Sequence, residues 1–332
     1  MDIFDAFWDT MVRFAILVLQ GSYISSVATT LDIFKAAASI SNASGEASPT
    51  WSVVSVEGGD VSLDAGLHIS TQRLSSRSLK DAILVIPGLG IDSPSALSHF
   101  QKRPDAHKAA RAVERHVKAG GKVAASCSAV FLLQLAGVLK DGVVTTSWWL
   151  APQLRKLTQD CEVDESRMIC QHGAITTAGA AFAQADLCLH LLARECSPKL
   201  ADFVSRYLIL DTRKAQSRYL LPEVLVSGDS FVSQVSNFIE KSLYEVPSVE
   251  TIASHFGVSG KTLNRRVQKA TGRSMLHLIQ TIRVRRVQQL LETRKTSIEQ
   301  IAESVGYKNT SALRRLMQKT LGINPSQYRT RT

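Results

Sequence analysis

No Cys-x-x-Cys pair occurs in this 332-residue chain. Its five cysteines, Cys127, Cys161, Cys170, Cys188 and Cys196, are odd in number and irregularly spaced. That argues against a disulfide framework and a structural zinc site, and it fits a reducing cytoplasm. Histidines with metal spacing are also missing: His68, His99, His107 and His116 fall in loops or on helix faces, and His190 lies in a helical stretch. No metal and no cofactor is expected. Long apolar runs are absent. The longest near the start, Phe14 to Leu19, is far too short to cross a bilayer and has no signal-peptide cleavage pattern after it, so no membrane role is expected. Gly88-Leu89-Gly90 lacks the rest of any nucleotide fingerprint. With 45% hydrophobic and 20% charged residues, the chain is a globular protein rather than a disordered one.

What is present is unevenly distributed. The formal net charge is +10. Residues 1–227 hold 22 Lys+Arg and 22 Asp+Glu, whereas residues 228–332 hold 17 and 7. The whole surplus lies in the last third. A neutral body with a basic end points to a polyanion partner, nucleic acid before membrane. The length suits two domains.

Up to residue 195 the pattern alternates strand and helix. Strands are expected at 13–19 (RFAILVL), 51–56, 82–86 (AILVI), 122–125 and 175–177. Helices are expected at 25–40, 104–119 (with a basic outer face), 129–136 and 181–194. Continuous apolar strands alternating with helices predict a doubly wound, mostly parallel α/β sheet that binds ligands at the carboxyl ends of its strands. Residues 1–10, acidic and aromatic, read as a loose leader or an upstream start. The expected division is leader 1–10, α/β domain 11–196, linker 197–228 and an all-α domain 229–332.

The basic third contains a duplicated unit. VETIASHFGVSGKTLNRRVQKATG (249–272) and IEQIAESVGYKNTSALRRLMQKTLG (298–322) match at Ile252-Ala253 with Ile301-Ala302, Gly257 with Gly306, Leu263 with Leu313 and Lys269 with Lys319. Each copy reads as helix, glycine turn and second helix. Ala253 and Ala302 permit close helix approach, the two glycines tolerate positive φ, and Ser248 and Ser297 are N-cap residues. The second helices present Ser259, Lys261, Thr262, Asn264 and Arg265, and Lys308, Asn309, Thr310, Ser311 and Arg314. Arg and Asn read guanine and adenine edges, while Lys, Ser and Thr hold phosphates. The segment 275–293, with Arg283, Arg285 and Arg286, is the spacer; two reading helices about one DNA turn (~34 Å) apart enter one duplex face. A helical dimerisation bundle with solvated charges is the competing explanation.

These residues resemble the DNA-binding domain of AraC-type transcription regulators over about 231–329. The closest correspondence is Gly306-Tyr307, Leu313-Arg314-Arg315 and the run from Gly322 to Arg329 (GINPSQYR); Leu313, Met317 and Val267 depart from the phenylalanines usual there. Upstream, Ser126-Cys127-Ser128 between a strand and a helix resembles the nucleophile elbow of class I glutamine amidotransferase-like and PfpI-like domains, as do Pro87-Gly88 and Thr176-Thr177-Ala178-Gly179. A PfpI-like, flavodoxin-like domain followed by an AraC-type domain is the architecture of GlxA-type regulators. The resemblance implies promoter DNA and RNA polymerase as partners, a homodimer, a cytoplasmic location, and control by a small metabolite or by dimerisation.

Catalysis is not expected. Where enzymatic relatives place a histidine after the nucleophile this chain has Ser128; where an acidic residue follows the first strand it has Ser26; where related regulators have Thr-Thr-His-Trp it has Thr145-Thr146-Ser147-Trp148. His172 stays open as a distant base, and with it the alternative of a cysteine amidase or peptidase using Cys127. Otherwise Ser26, Gly88, Cys127, Ser128, Ser147 and Trp148 are candidates to line an effector pocket, for an amino acid or an amine held by cation–π contact on Trp148, or else simply packing residues.

Overall fold

The computed structural model describes residues 11–44, 47–211, 213, 230–271, 273–293, 296–321 and 323–329. The leader at 1–10, residues 212 and 214–228 of the expected linker, and the repeat glycines Gly272 and Gly322 lie outside the described residues. The chain divides into two units, Met1–Lys214 and Ala215–Thr332.

The first unit is built on the apolar strands. In chain order its elements are β1 (Met11–Leu17), α1 (Ile24–Ser44), β2 (Ser48–Ser55), β3 (Gly59–Ser62), β4 (His68–Arg73), α2 (Ser76–Leu79), β5 (Ala82–Ile86), α3 (Pro94–Phe100), α4 (Pro104–Lys118), β6 (Val123–Ser126), α5 (Val130–Leu135), β7 (Val143–Val144), α6 (Ala151–Leu157), β8 (Glu162–Val163), β9 (Ile169–His172), β10 (Ile175–Ala178), α7 (Ala183–Leu191) and α8 (Pro198–Tyr207). Eight strands form one sheet in the order β3-β4-β2-β1-β5-β6-β10-β9. The six inner strands are parallel, and the edge strands β3 and β9 are antiparallel. The mostly parallel, doubly wound sheet is therefore as expected.

Period-two alternation along each strand explains why both faces are covered. Ala15, Leu17, Leu84, Ile86 and Ala125 point to one core, which they share with α4, α5 and α6. Phe14, Ile16, Ile83, Val85 and Ala124 point to the other, with α1, α7 and α8, where Phe14 stacks on Phe34 at 4.4 Å between ring centroids. The chain steps from β1 outward to β2 and β4, then crosses to β5. The switch point between β1 and β5 thus brings the loop after β1 beside Pro87-Gly88, the place where such sheets open a crevice.

One expectation changes. Residues 198–207, assigned to the linker on sequence, are helical. Ser197 caps α8 by accepting from the Leu200 amide, and Leu200, Ala201 and Val204 are buried in the second core. The i, i+1, i+4 spacing of Leu200, Ala201 and Val204 places them on one face, which seals the sheet.

The second unit is all helical: α9 (Ser230–Lys241), a 3-10 turn (Leu243–Glu245), α10 (Val249–His255), α11 (Gly260–Thr271), α12 (Met275–Thr293), α13 (Ile298–Ser304), α14 (Thr310–Leu321) and α15 (Pro325–Arg329). It has two small cores. Ile252, Leu263 and Val267 lie in one, Ile301, Leu313 and Met317 in the other. The helix α12 belongs to both: Met275, Leu278, Ile279 and Ile282 fill the first, and Val284, Val287, Leu290 and Leu291 the second. Leu313, Met317 and Val267, which replace phenylalanine, are fully buried.

If α8 is part of the α/β core, Leu200→Ala should destabilise the full-length protein by about 2–5 kcal/mol. Urea unfolding followed by circular dichroism measures it; a change within error would return 198–207 to the linker.

Candidate functional site

Two constellations follow from this fold. The first is the elbow after β6. The strand ends at Ser126, and Cys127 then turns with φ 56°, a left-handed conformation costing about 1–2 kcal/mol for a residue with a Cβ. Two hydrogen bonds hold it there: the Cys127 amide donates to the Gly179 carbonyl at 2.7 Å, and Thr146 Oγ1 donates to the Cys127 carbonyl at 2.7 Å. Strand, sharp turn and helix in this order form a nucleophile elbow.

The expected neighbours do converge. A Cβ on Gly88 would sit 3.0 Å from Ser26 Oγ and 3.1 Å from Cys127 Cβ. Ser147 Oγ lies 2.9 Å from Cys127 Sγ. Ser128 turns away and donates to the Leu89 carbonyl, leaving its Oγ 3.8 Å from the thiol. Ser26 donates to the Ala181 carbonyl at 3.3 Å. Trp148 is buried, in edge-to-face contact with the half-buried Trp149 at 5.2 Å. Ser26, Cys127, Ser128 and Ser147 have no exposed surface at all.

The chemistry of this arrangement is that of a buried thiol. Burial pushes the Cys127 thiol up, against smaller opposing contributions from Ser147 and Ser128. Among the described residues no imidazole or carboxylate is hydrogen-bonded to the sulfur. His172 pairs with Ile175 in the β9/β10 register, while Ala178 pairs with Ser126. The elbow is thus three residues, roughly 10 Å, further along β10 than His172. The distant base left open on sequence is at the wrong end of the strand.

Sequence reasoning missed the supporting residues. Ser126 Oγ donates to Gln184 Oε1 at 2.5 Å, and Gln184 Nε2 donates to Thr30 Oγ1 at 2.7 Å, making a polar network with no exposed surface behind the elbow. Gln184 could have been noticed as the polar residue of an Ala- and Leu-rich helix. Tyr23 packs on Gly88, its hydroxyl pushed up to about 12 by burial and then by neighbouring Cys127, Asp92 and Asp64; nothing in its sequence context marks it. Beyond α7, Arg213 donates through its amide to Asp186 Oδ1 at 3.0 Å, and through Nη2 to Asp186 Oδ2 and the Phe182 carbonyl, each at 2.5 Å.

The second constellation is the pair of helix-turn-helix units. Ser248 and Ser297 cap α10 and α13 by accepting from the Thr251 and Gln300 amides. Gly257 and Gly306 take φ 64° and 78°. On the reading helices Lys261, Arg265, Ser311 and Arg314 are exposed, and Thr262 and Thr310 half-buried; Lys308, expected on the second of them, is exposed in the turn just before α14. Other candidates are occupied within the protein. Ser259 and Asn309 cap α11 and α14 by accepting from the Thr262 and Ala312 amides, and Asn264 Oδ1 accepts from the Met275 amide at the start of α12. Among the spacer arginines, Arg283 lies over the Tyr307 ring at 4.8 Å. Gly306 packs against the 3-10 turn Leu243–Glu245 that leads into the first helix-turn-helix copy, where a Cβ would meet the Leu243 carbonyl at 2.9 Å. Within the second unit, Arg283, Tyr307 and Gly306 therefore join the two helix-turn-helix copies.

Among the described residues no helix is long and apolar enough to cross a membrane, and no group of three or more His, Cys, Asp or Glu could hold a metal ion.

Comparison with known proteins agrees with both halves. Residues 13–194 match the model of the DJ-1/PfpI family, and residues 252–331 match that of a helix-turn-helix domain. The HTH-type transcriptional regulator GbdR of Pseudomonas aeruginosa is 23% identical over 84% of this chain and 74% of its own. The HTH-type transcriptional regulator GlxA of Rhizobium meliloti is 24% identical over 63% of this chain and 67% of its own. A crystal structure of an AraC family transcriptional regulator from Pseudomonas putida superposes with a TM-score of 0.50 at 21% identity, covering 59% of this chain and 99% of that one.

Two outcomes follow. Cys127 should stay unalkylated by iodoacetamide at pH 7.5 in the native protein and react in urea, as peptide mass mapping would report; rapid native labelling contradicts the sealed elbow. Because burial favours the neutral thiol, its share of stability is full below about pH 8.5 and is lost as pH rises above that. Separately, Gly257→Ala, which meets nothing within 4 Å, should cost about 1 kcal/mol, whereas Gly306→Ala, which also strikes a carbonyl, should cost about 2–4 kcal/mol in thermal unfolding. Equal costs would show that the two helix-turn-helix copies are not joined at Gly306.

Proposed function

We propose, for a chain that belongs to the DJ-1/PfpI family and has the architecture of GlxA-type AraC regulators, a transcription regulator in which Lys261, Arg265, Lys308, Ser311 and Arg314 make the first contacts with promoter DNA. The protein is a DNA-binding transcription regulator. The observation that carries the residue assignment is the division of labour on the reading helices. Their apolar positions fill the cores and Ser259, Asn264 and Asn309 hold helix ends. The exposed Lys261, Arg265, Lys308 and Arg314 have no acidic partner among the described residues.

The α/β unit acts without catalysis, in the cytoplasm, as the controlling and self-associating half of a homodimer that recruits RNA polymerase. A buried thiol with no base beside it supports a non-catalytic role. The elbow residues Ser26, Gly88, Cys127, Ser128, Ser147 and Trp148 contact an effector, an amino acid or amine, only after the segment 145–149 moves, since they are sealed at rest. The loop 179–182 then offers a route outward. It accepts from the Cys127 amide at Gly179 and from Ser26 at Ala181, and its Phe182 carbonyl accepts from Arg213 at the edge of the unit. A ligand that displaces this loop changes the hold on Arg213, and differential binding to the two arrangements is what shifts promoter occupancy.

Fluorescence anisotropy with the full-length protein and a promoter duplex tests the assignment. Arg314→Ala should cost about 1–3 kcal/mol and relax base preference at one position. Lys308→Ala should weaken all sequences alike and lower the salt slope by about 1. Unchanged affinity for both would remove these residues from the interface.

A further inference from the structure

A cleft of about 1390 Å³ opens on the first unit, between α2 and α4 and far from the elbow. Its floor includes the starts of β1 and β5 and the turn into β6, the amino ends of those strands, whereas the elbow follows a carboxyl end. The basic outer face of α4, which DNA reading does not use, forms one wall. Ala109, Ala112, Val113 and His116 bury the inner side of that helix, leaving Arg111 and Arg115 one turn apart on the exposed side. The opposite wall carries Arg77 and Lys80, and Arg13 rises from β1 with Nη1 donating to the Lys80 carbonyl at 3.1 Å.

The charge of this cleft is not compensated locally. Glu57 is taken by Arg73 at 3.5 Å and Lys108 at 2.5 Å, and Glu195 by Lys122 at 2.6 Å. Asp81 is the remaining carboxylate of the lining. Arg77, Lys80, Arg111 and Arg115 have no acidic partner among the described residues. They stand in a segment, residues 1–227, whose formal charges cancel, so their clustering is not a consequence of a generally basic surface. Between the walls lies an apolar strip that includes Val56, Leu74, Leu79 and Ala82.

We propose that this cleft binds a small organic anion bearing two or more phosphate groups, of nucleotide size, distinct from any ligand of the elbow. Two arginines a helical turn apart, facing a lysine and a third arginine, match phosphate oxygens with paired donors. The apolar strip takes the organic body. The volume exceeds the roughly 300–1,000 Å³ of most drug-sized pockets and suits a nucleotide with its phosphates extended. A duplex backbone has nothing to place on that strip, which favours a free anion over DNA.

Isothermal titration of the full-length protein with ATP, inorganic triphosphate and adenosine tests this. ATP should bind, triphosphate more weakly, and adenosine not measurably. Arg111→Glu/Arg115→Glu and, on the other wall, Arg77→Glu/Lys80→Glu should each weaken ATP by about tenfold or more, since charge-assisted hydrogen bonds are lost. These positions are exposed, and the second pair guards against a folding defect in the first. Lys308→Glu/Arg314→Glu should leave ATP binding within about twofold and abolish promoter binding instead. The proposal fails if neither ATP nor triphosphate binds, if ATP binding is lost only with the reading-helix variant, or if the cleft variants lose DNA while keeping ATP.

Discussion

The second unit depends on one helix being shared by two cores. Neither helix-turn-helix copy buries much apolar surface alone. The nineteen residues of α12 supply four side chains to one core and four to the other. A domain this small is marginal unless its halves support each other. The sharing also sets geometry, because two reading helices fixed to one rigid helix cannot rotate independently. The contact at Gly306, with Arg283 lying on Tyr307, adds a second point of attachment between the copies. Duplication here serves spacing as much as affinity.

The α/β unit carries an elbow whose thiol meets hydroxyl groups and, among the described residues, no imidazole or carboxylate. The left-handed turn at Cys127 is held by a hydrogen bond from its amide to the Gly179 carbonyl and by one from Thr146 to its own carbonyl. The groups that would activate a thiol are replaced by serines, and the sulfur is fully buried. The strained turn also acts as a joint, for it ties β6, the loop 179–182 and the segment 145–147 to one point. The large basic cleft lies elsewhere, so the parts of this unit best placed to meet solutes are not those where the family's chemistry resides.

Much of this was legible in the sequence. Ala82–Ile86 is a five-residue apolar run between polar turns, and all five side chains are buried in the sheet. The charge division and the repeat located the helix-turn-helix units, whose core positions Ile252, Leu263, Ile301 and Leu313 are fully buried. The failures have physical causes. Residues 198–207 begin with a proline and carry charges, and only packing against the sheet reveals that Leu200, Ala201 and Val204 share a buried face. Asn264 and Asn309, expected on sequence as adenine readers, are exposed, and their Oδ1 atoms also accept from backbone amides at helix ends, a use that local sequence does not reveal. Gln184, Tyr23 and Arg213 reach the elbow region from distant segments, which only the tertiary fold brings together.

The central claim is that two reading helices held at fixed spacing engage one duplex together. Selection of binding sequences from a random duplex library by the full-length protein tests it most directly. The account predicts two short preferred segments whose centres lie about one helical turn (10–10.5 base pairs) apart, with binding lost when about half a turn is inserted between them. A single preferred segment, or two whose separation can change freely without loss of binding, would contradict it.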